Sequence, residues 1–103
     1  MAETAPTIRV VIAEDQPLLR DAIASLLESS GLDVVGRCPD AADLLLKVRS
    51  YNPDVAITDI RMPPTFTDEG LQAAIEIRSR YPETTVLVLS QHVAPDQAAR
   101  LVA

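Results

Sequence analysis

Apolar positions along this chain fall into short, nearly unbroken runs that alternate with longer stretches of helical spacing. Ile8 to Ala13 is apolar except for Arg9, and a run without strict alternation fits a strand covered on both faces. It ends in Glu14-Asp15. Pro17 then suits the first turn of a helix. Leu19, Ala22, Ile23, Leu26 and Leu27 follow at helical spacing and predict one buried stripe, with Gly31 as the C-terminal cap. Val34-Val35, with neighbours from Leu32 to Cys38, forms a second strand. Asp40 caps a second helix, in which Ala41, Leu45 and Val48 share a face until Tyr51-Asn52-Pro53 stops it. Val55-Ala56-Ile57 is the third strand, closed by Pro53 before it and Pro63-Pro64 after it. A loop from Ile60 to Asp68 leads to a third helix near Glu69. There Leu71, Ala74 and Ile75 are the main apolar positions and Ile77 flanks them. Tyr81-Pro82 ends that helix, and Thr85 to Leu89, the most β-prone run, forms strand four. Beyond Pro95, the spacing of Ala98, Leu101 and Val102 starts a fourth helix. Strands alternating with helices predict an α/β fold: parallel strands joined by right-handed crossovers.

Size and charge narrow this picture. A chain of 103 residues suits one small domain. The expected division is a loose tail over 1–7 and one domain over 8–103. An apolar share of 48% with three aromatic residues predicts a core of Leu, Val, Ile and Ala. A net charge of -6 argues against a nucleic-acid surface within the chain, which could not neutralise many phosphates. Cys38, the single cysteine, cannot form an internal disulfide and fits a reducing cytoplasm as a small core filler. No apolar run approaches a membrane span, and Met1 to Thr7 lacks a signal-peptide core.

The candidate chemistry gathers at strand ends. Asp59 stands where the third strand gives way to loop, and in open parallel sheets that carboxyl end is where ligands bind. A carboxylate there serves as nucleophile, as metal ligand, as both, or only as a turn cap. Glu14 and Asp15 follow strand one, and Ser90 follows strand four. With parallel strands, all four side chains reach one edge of the sheet. Three crowded carboxylates repel one another, and a divalent cation resolves the repulsion. Hard oxygen ligands with room for water and phosphate suit Mg²⁺. Arg61, two residues past Asp59, either influences water access or is a plain surface arginine. His92, the single histidine, reads as an exposed loop residue beside the site.

Several of these stretches carry a resemblance. They are Val10-Val11-Ile12-Ala13-Glu14-Asp15, Pro53-Asp54-Val55, Thr58-Asp59-Ile60-Arg61-Met62-Pro63, Gly70, and Val86-Leu87-Val88-Leu89-Ser90. The chain resembles the receiver domain of two-component response regulators, and Val34-Val35-Gly36 with Asp59 to Pro63 is most similar to receivers of the NarL/LuxR type. The resemblance implies a flavodoxin-like (CheY-like) doubly wound parallel sheet. It implies Asp59 as phosphoacceptor and as Mg²⁺ ligand, and Asp15 as direct Mg²⁺ ligand. Glu14 matches the acidic neighbour acting through water, and the Arg61 backbone carbonyl matches the third protein ligand. Ser90 matches the hydroxyl that turns toward the phosphate. A sensor histidine kinase is the implied donor, and DNA is reached only through a C-terminal domain outside this chain. Receivers of this kind catalyse only their own phosphorylation and dephosphorylation.

Two departures from the family pattern stand out. The loop from Pro63 to Gly70 is longer than usual, and its Phe66 is either a partner contact or a tucked-in anchor. The expected fifth strand and fifth helix are missing, and with them the phosphate-binding lysine. Lys47, the only lysine, falls in helix two. The expectation is a receiver truncated after helix four, which leaves strand four as an open apolar edge through which the chain forms a homo-oligomer. Two rival functions remain. One is a phosphorylation-independent interaction module with the receiver fold. The other is an aspartate-nucleophile phosphohydrolase, which would need a second aspartate where Arg61 stands.

Overall fold

A computed structural model of the chain describes residues 7–89. Four strands and three helices alternate: β1 (Arg9–Ala13), α1 (Pro17–Ser29), β2 (Asp33–Cys38), α2 (Ala41–Tyr51), β3 (Val55–Asp59), α3 (Glu69–Arg80) and β4 (Thr85–Leu89). The sheet is parallel throughout, in the order β2-β1-β3-β4. This is the doubly wound receiver-type arrangement over the described residues. Ser90, His92 and the expected fourth helix lie outside them.

Helices cover both faces of the sheet, which explains why β1 and β3 read as continuous apolar runs. Val11, Ala13 and Ala56 pack with Cys38, Leu44, Val48, Met62, Ala73 and Ile77 on the α2/α3 side. Val10, Ile12 and Ile57 face the other way, against Ile23 and Leu27 of α1. Burying one such aliphatic side chain contributes about 1.5–3 kcal/mol.

The helix ends follow local chemistry. Asp40 accepts a hydrogen bond from the Asp43 amide at 2.8 Å, as an N-cap should. At the end of α1, Gly31 adopts φ +91° while its amide donates to Glu28 and the Leu32 amide donates to Leu27. That double closure needs a left-handed residue, so glycine is the natural choice. The Arg9 guanidinium donates to the carbonyls of Tyr51 and Asn52, closing the C-terminus of α2 from β1.

The buried faces differ from the periodicity reading in three places. On α3 the inward positions are Gly70, Ala73, Ala74 and Ile77, while Leu71 and Ile75 are exposed, Ile75 by 56%. The reason is the close approach of Gly70 to the end of β3, which sets the rotation of the helix. On α2 Leu44 is fully buried beside Val48, and Ala41 and Leu45 only flank them. On α1 Ala24 is the buried residue, Leu19, Ile23 and Leu27 are half-buried, and Ala22 and Leu26 face outward.

Candidate functional site

The site lies at the carboxyl edge of the two central strands. β1 and β3 are neighbours in parallel register, with Ala13 opposite Thr58. One step further along, Glu14 stands opposite Asp59. The Glu14 amide extends the ladder to β2 by donating to the Cys38 carbonyl at 2.9 Å. The Ile60 amide does the same toward β4, donating to Leu89 at 3.1 Å. Both acids are therefore fixed by sheet hydrogen bonds. Glu14 and Asp59 are buried and Asp15, in the following bend, is half-buried.

Carboxylate oxygens of Glu14, Asp15 and Asp59 lie within 4.8 Å of one another. Two ligands on opposite sides of a Mg²⁺ ion are about 4.2 Å apart, given the ~2.1 Å metal–oxygen distance. The widest pair thus needs only a small inward shift to share an ion. The donor set is hard oxygen, as Mg²⁺ requires. Crowding is visible in the acidity of Glu14. Burial, then the neighbouring Asp15 and Asp59, push its carboxyl above the usual range, against a hydrogen bond from the Gln16 amide. An ion that replaces lost hydration and neutralises the shared charge removes this cost.

The loop after Asp59 is fixed at both ends. Met62 is fully buried in the α2/α3-side core and anchors the departing chain. Gly70 closes the loop: its amide donates to the Ile60 carbonyl at 2.9 Å. A Cβ at Gly70 would lie 1.6 Å from the Asp59 carbonyl oxygen, so no larger residue fits without moving the strand end or the helix. Between these anchors the Glu69 carboxylate accepts from the amides of Thr65 and Thr67 and from the Thr65 hydroxyl. These bonds, the Thr65 hydroxyl first, hold the Glu69 carboxyl down to about 2. Phe66, at φ +58°, is half-exposed rather than tucked in; the anchoring role belongs to Met62.

Glu14, Asp15 and Asp59 are thus brought together as expected, and Arg61 follows with an exposed side chain. Lys47 lies on α2, paired with Asp43 at 3.0 Å. Cys38 is fully buried, its thiol donates to the Ile12 carbonyl, and burial pushes it up to about 12. Two contributors escaped the sequence reading. Glu69 had no signal beyond its place at a helix start. Arg20, whose guanidinium donates to the Glu14 carbonyl at 2.8 Å, was signalled only by a cation one turn into the helix after Asp15.

Comparison with known proteins agrees with this geometry. The sequence pattern of the response regulator receiver domain matches residues 10–103. The chain is 39% identical over 89 residues to the probable transcriptional regulatory protein NarL of Mycobacterium tuberculosis, covering 85% of this chain and 40% of that protein. It is 33% identical over 84 residues to the oxygen regulatory protein NreC of Staphylococcus aureus, covering 81% of this chain and 38% of that protein. It therefore spans about 40% of the length of these relatives. Among solved structures, the signal receiver domain of NarL from Mycobacterium tuberculosis superposes with a TM-score of 0.79 at 35% identity, covering 95% of this chain and 77% of that one. The isolated receiver domain of RcsB from Salmonella enterica serovar Typhimurium, with the phosphomimetic BeF₃⁻, gives 0.78 at 26% identity, covering 94% and 71%.

Proposed function

The chain belongs to the response regulator receiver domain family, and from that premise we propose that it is the phosphoacceptor receiver of a NarL-type regulator, with Asp59 as the acceptor. The observation that carries this reading is the convergence of three carboxylates at the ends of two adjacent parallel strands. Receiver domains bind Mg²⁺ through such an acidic cluster. Here Asp15, Asp59 and the Arg61 backbone carbonyl would hold the ion directly, with Glu14 acting through water. Once bound, Mg²⁺ neutralises charge on the oxygens of the incoming phosphoryl group.

Asp59 supplies the nucleophile. One carboxylate oxygen attacks phosphorus while the bond from phosphorus to the donor breaks, and the donor leaves with that electron pair. The product is an acyl phosphate on Asp59. Water attacking phosphorus later returns the carboxylate and inorganic phosphate. Glu14, held by the Cys38 and Gln16 hydrogen bonds, keeps the negative wall of the site in place. Ser90, which follows β4 in the sequence, is the residue whose hydroxyl would serve a phosphate oxygen. The reading covers one receiver domain over 8–103 after a short tail, in the cytoplasm. A sensor histidine kinase is the donor, and a separate DNA-binding domain reads out the phosphorylation state. Self-association along β4 completes it, supported by exposed Leu87, Val88 and Leu89. No helix among the described residues is long and apolar enough to cross a membrane.

A small-molecule phosphodonor with Mg²⁺ tests the reading. Intact-mass analysis should show one added phosphoryl group that is lost slowly, requires Mg²⁺ and vanishes in Asp59→Asn. Continuous phosphate release without an adduct would point to a phosphohydrolase. No reaction at all would leave an interaction module as the function.

A further inference from the structure

The turn that carries Asp15 is held from outside the carboxylate cluster. Arg20 lies one turn into α1, half-buried. Its main chain belongs to the helix, since its amide donates to the Gln16 carbonyl at 2.9 Å. Its side chain runs back the other way, and Nη1 donates to the Glu14 carbonyl at 2.8 Å. Two more bonds fix the same stretch. The Glu14 amide donates to Cys38 at 2.9 Å, and the Gln16 amide donates to the Glu14 carboxylate at 3.1 Å. The residues on both sides of Asp15 are thereby tied down. Asp15 itself belongs to none of the described helices or strands, so the path of its backbone is set by these flanking bonds.

The chemistry of the group suits this task. A guanidinium stays protonated at any working pH, and its bond to a carbonyl is charge-assisted, which makes it roughly twice as strong as a neutral one. Bonded to the Glu14 carbonyl, it holds the backbone of the residue directly before Asp15. A turn already ordered before the cation arrives loses less entropy on binding, and the gain appears as affinity.

We propose that Arg20 is a positioning residue for the divalent-cation site, holding the Glu14–Asp15 turn in its binding geometry ahead of the ion. This rests on reading Glu14, Asp15 and Asp59 as that site. Arg20 touches neither the ion nor the phosphoryl group, and its effect passes through the turn.

The test uses the whole chain and two readouts. Mg²⁺ alone is titrated calorimetrically, and exchange of the Gln16 amide is followed by NMR without metal, with the α2 amide of Leu44 as the fold control. Arg20→Ala is expected to weaken Mg²⁺ about tenfold and to speed exchange at Gln16 while leaving Leu44 unchanged. Arg20→Lys, which keeps the charge but not the planar fork, should recover part of the affinity. Arg20→Gln, which keeps a planar donor without the charge, should recover less. Should Arg20→Ala fail to fold, the Lys and Gln variants carry the comparison. Wild-type Mg²⁺ affinity in these variants, or unchanged exchange at Gln16, would overturn the role of Arg20 while sparing the site. A wild-type chain that binds no Mg²⁺ would overturn the site itself, and the role of Arg20 with it.

Discussion

Glu14 shows how a single residue can work against the fold for the sake of a site. It is buried beside two other carboxylates, so its charge is poorly hydrated and repelled. Glu14→Gln keeps the shape and removes one charge. In Mg²⁺-free buffer at neutral pH this variant should melt several degrees above the wild type, since about 1 kcal/mol shifts Tm by 4–8 °C in a domain this small. Mg²⁺ should narrow that difference or reverse it, because the ion stabilises the wild-type charge arrangement more. Equal melting temperatures without metal would show that the repulsion is relieved by other means. Asp15→Ala belongs at the same scale and should abolish measurable Mg²⁺ binding in calorimetry. Cys38 is the contrasting case, a thiol with no exposed surface and a titration point pushed up to about 12. It should resist alkylation at pH 8 until the chain is unfolded.

At the scale of elements, α3 is steered by its contact with β3 rather than by its own apolar pattern. Ile75 and Ile77 look alike in sequence, but only Ile77 reaches the core. Ile77→Ala should cost about 2–5 kcal/mol in urea unfolding, while Ile75→Ala should stay within about 0.5 kcal/mol. Similar costs for the two would mean the helix is rotated relative to this description. Gly70→Ala should cost about 1–3 kcal/mol or more through overpacking. It should also lower phosphoryl labelling, because the added Cβ runs into the Asp59 carbonyl. The loop before α3 has its own pH signature. The folded Glu69 value of about 2 lies below its ordinary 4.5. The charged form is therefore the one the fold favours. Its stabilising effect is complete above the ordinary value and is lost as pH falls toward 2. The Thr65 and Thr67 amide signals should hold their native NMR positions through the ordinary carboxylate range and shift only near pH 2. In Glu69→Gln they should be displaced at every pH.

For the whole molecule, the open question is association. Among the described residues β4 pairs with β3 alone, and Leu87, Val88 and Leu89 are 49%, 39% and 44% exposed. The strand has no charge, no proline and no bulge, the features that usually protect an edge. Sedimentation of this chain should show a dimer forming as concentration rises, and Val88→Lys should return it to monomer. A wild-type monomer at high concentration, with β4 amides in fast exchange, would sink the idea.

The order of elements, the parallel sheet and the identity of the acidic residues were all legible in the sequence. Each follows from short-range rules. Unbroken apolar runs mark doubly covered strands, proline and glycine mark ends, and acids directly after strands mark a ligand-binding edge. What the sequence left open needs distances between residues far apart in the chain. The spacing on α3 favoured Leu71 and Ile75 over Ile77, because no periodicity rule contains the contact between Gly70 and Asp59. Leu44 hid among three consecutive leucines, Leu44 to Leu46, and only docking of α2 on the sheet separates the buried one from its neighbours. Glu69 and Arg20 were ordinary helix-start residues until the fold returned their side chains to the Thr65–Thr67 loop and to the Glu14 carbonyl. The local code fixes which residues can do chemistry. The packing of helices against the sheet decides which of them are held in position to do it.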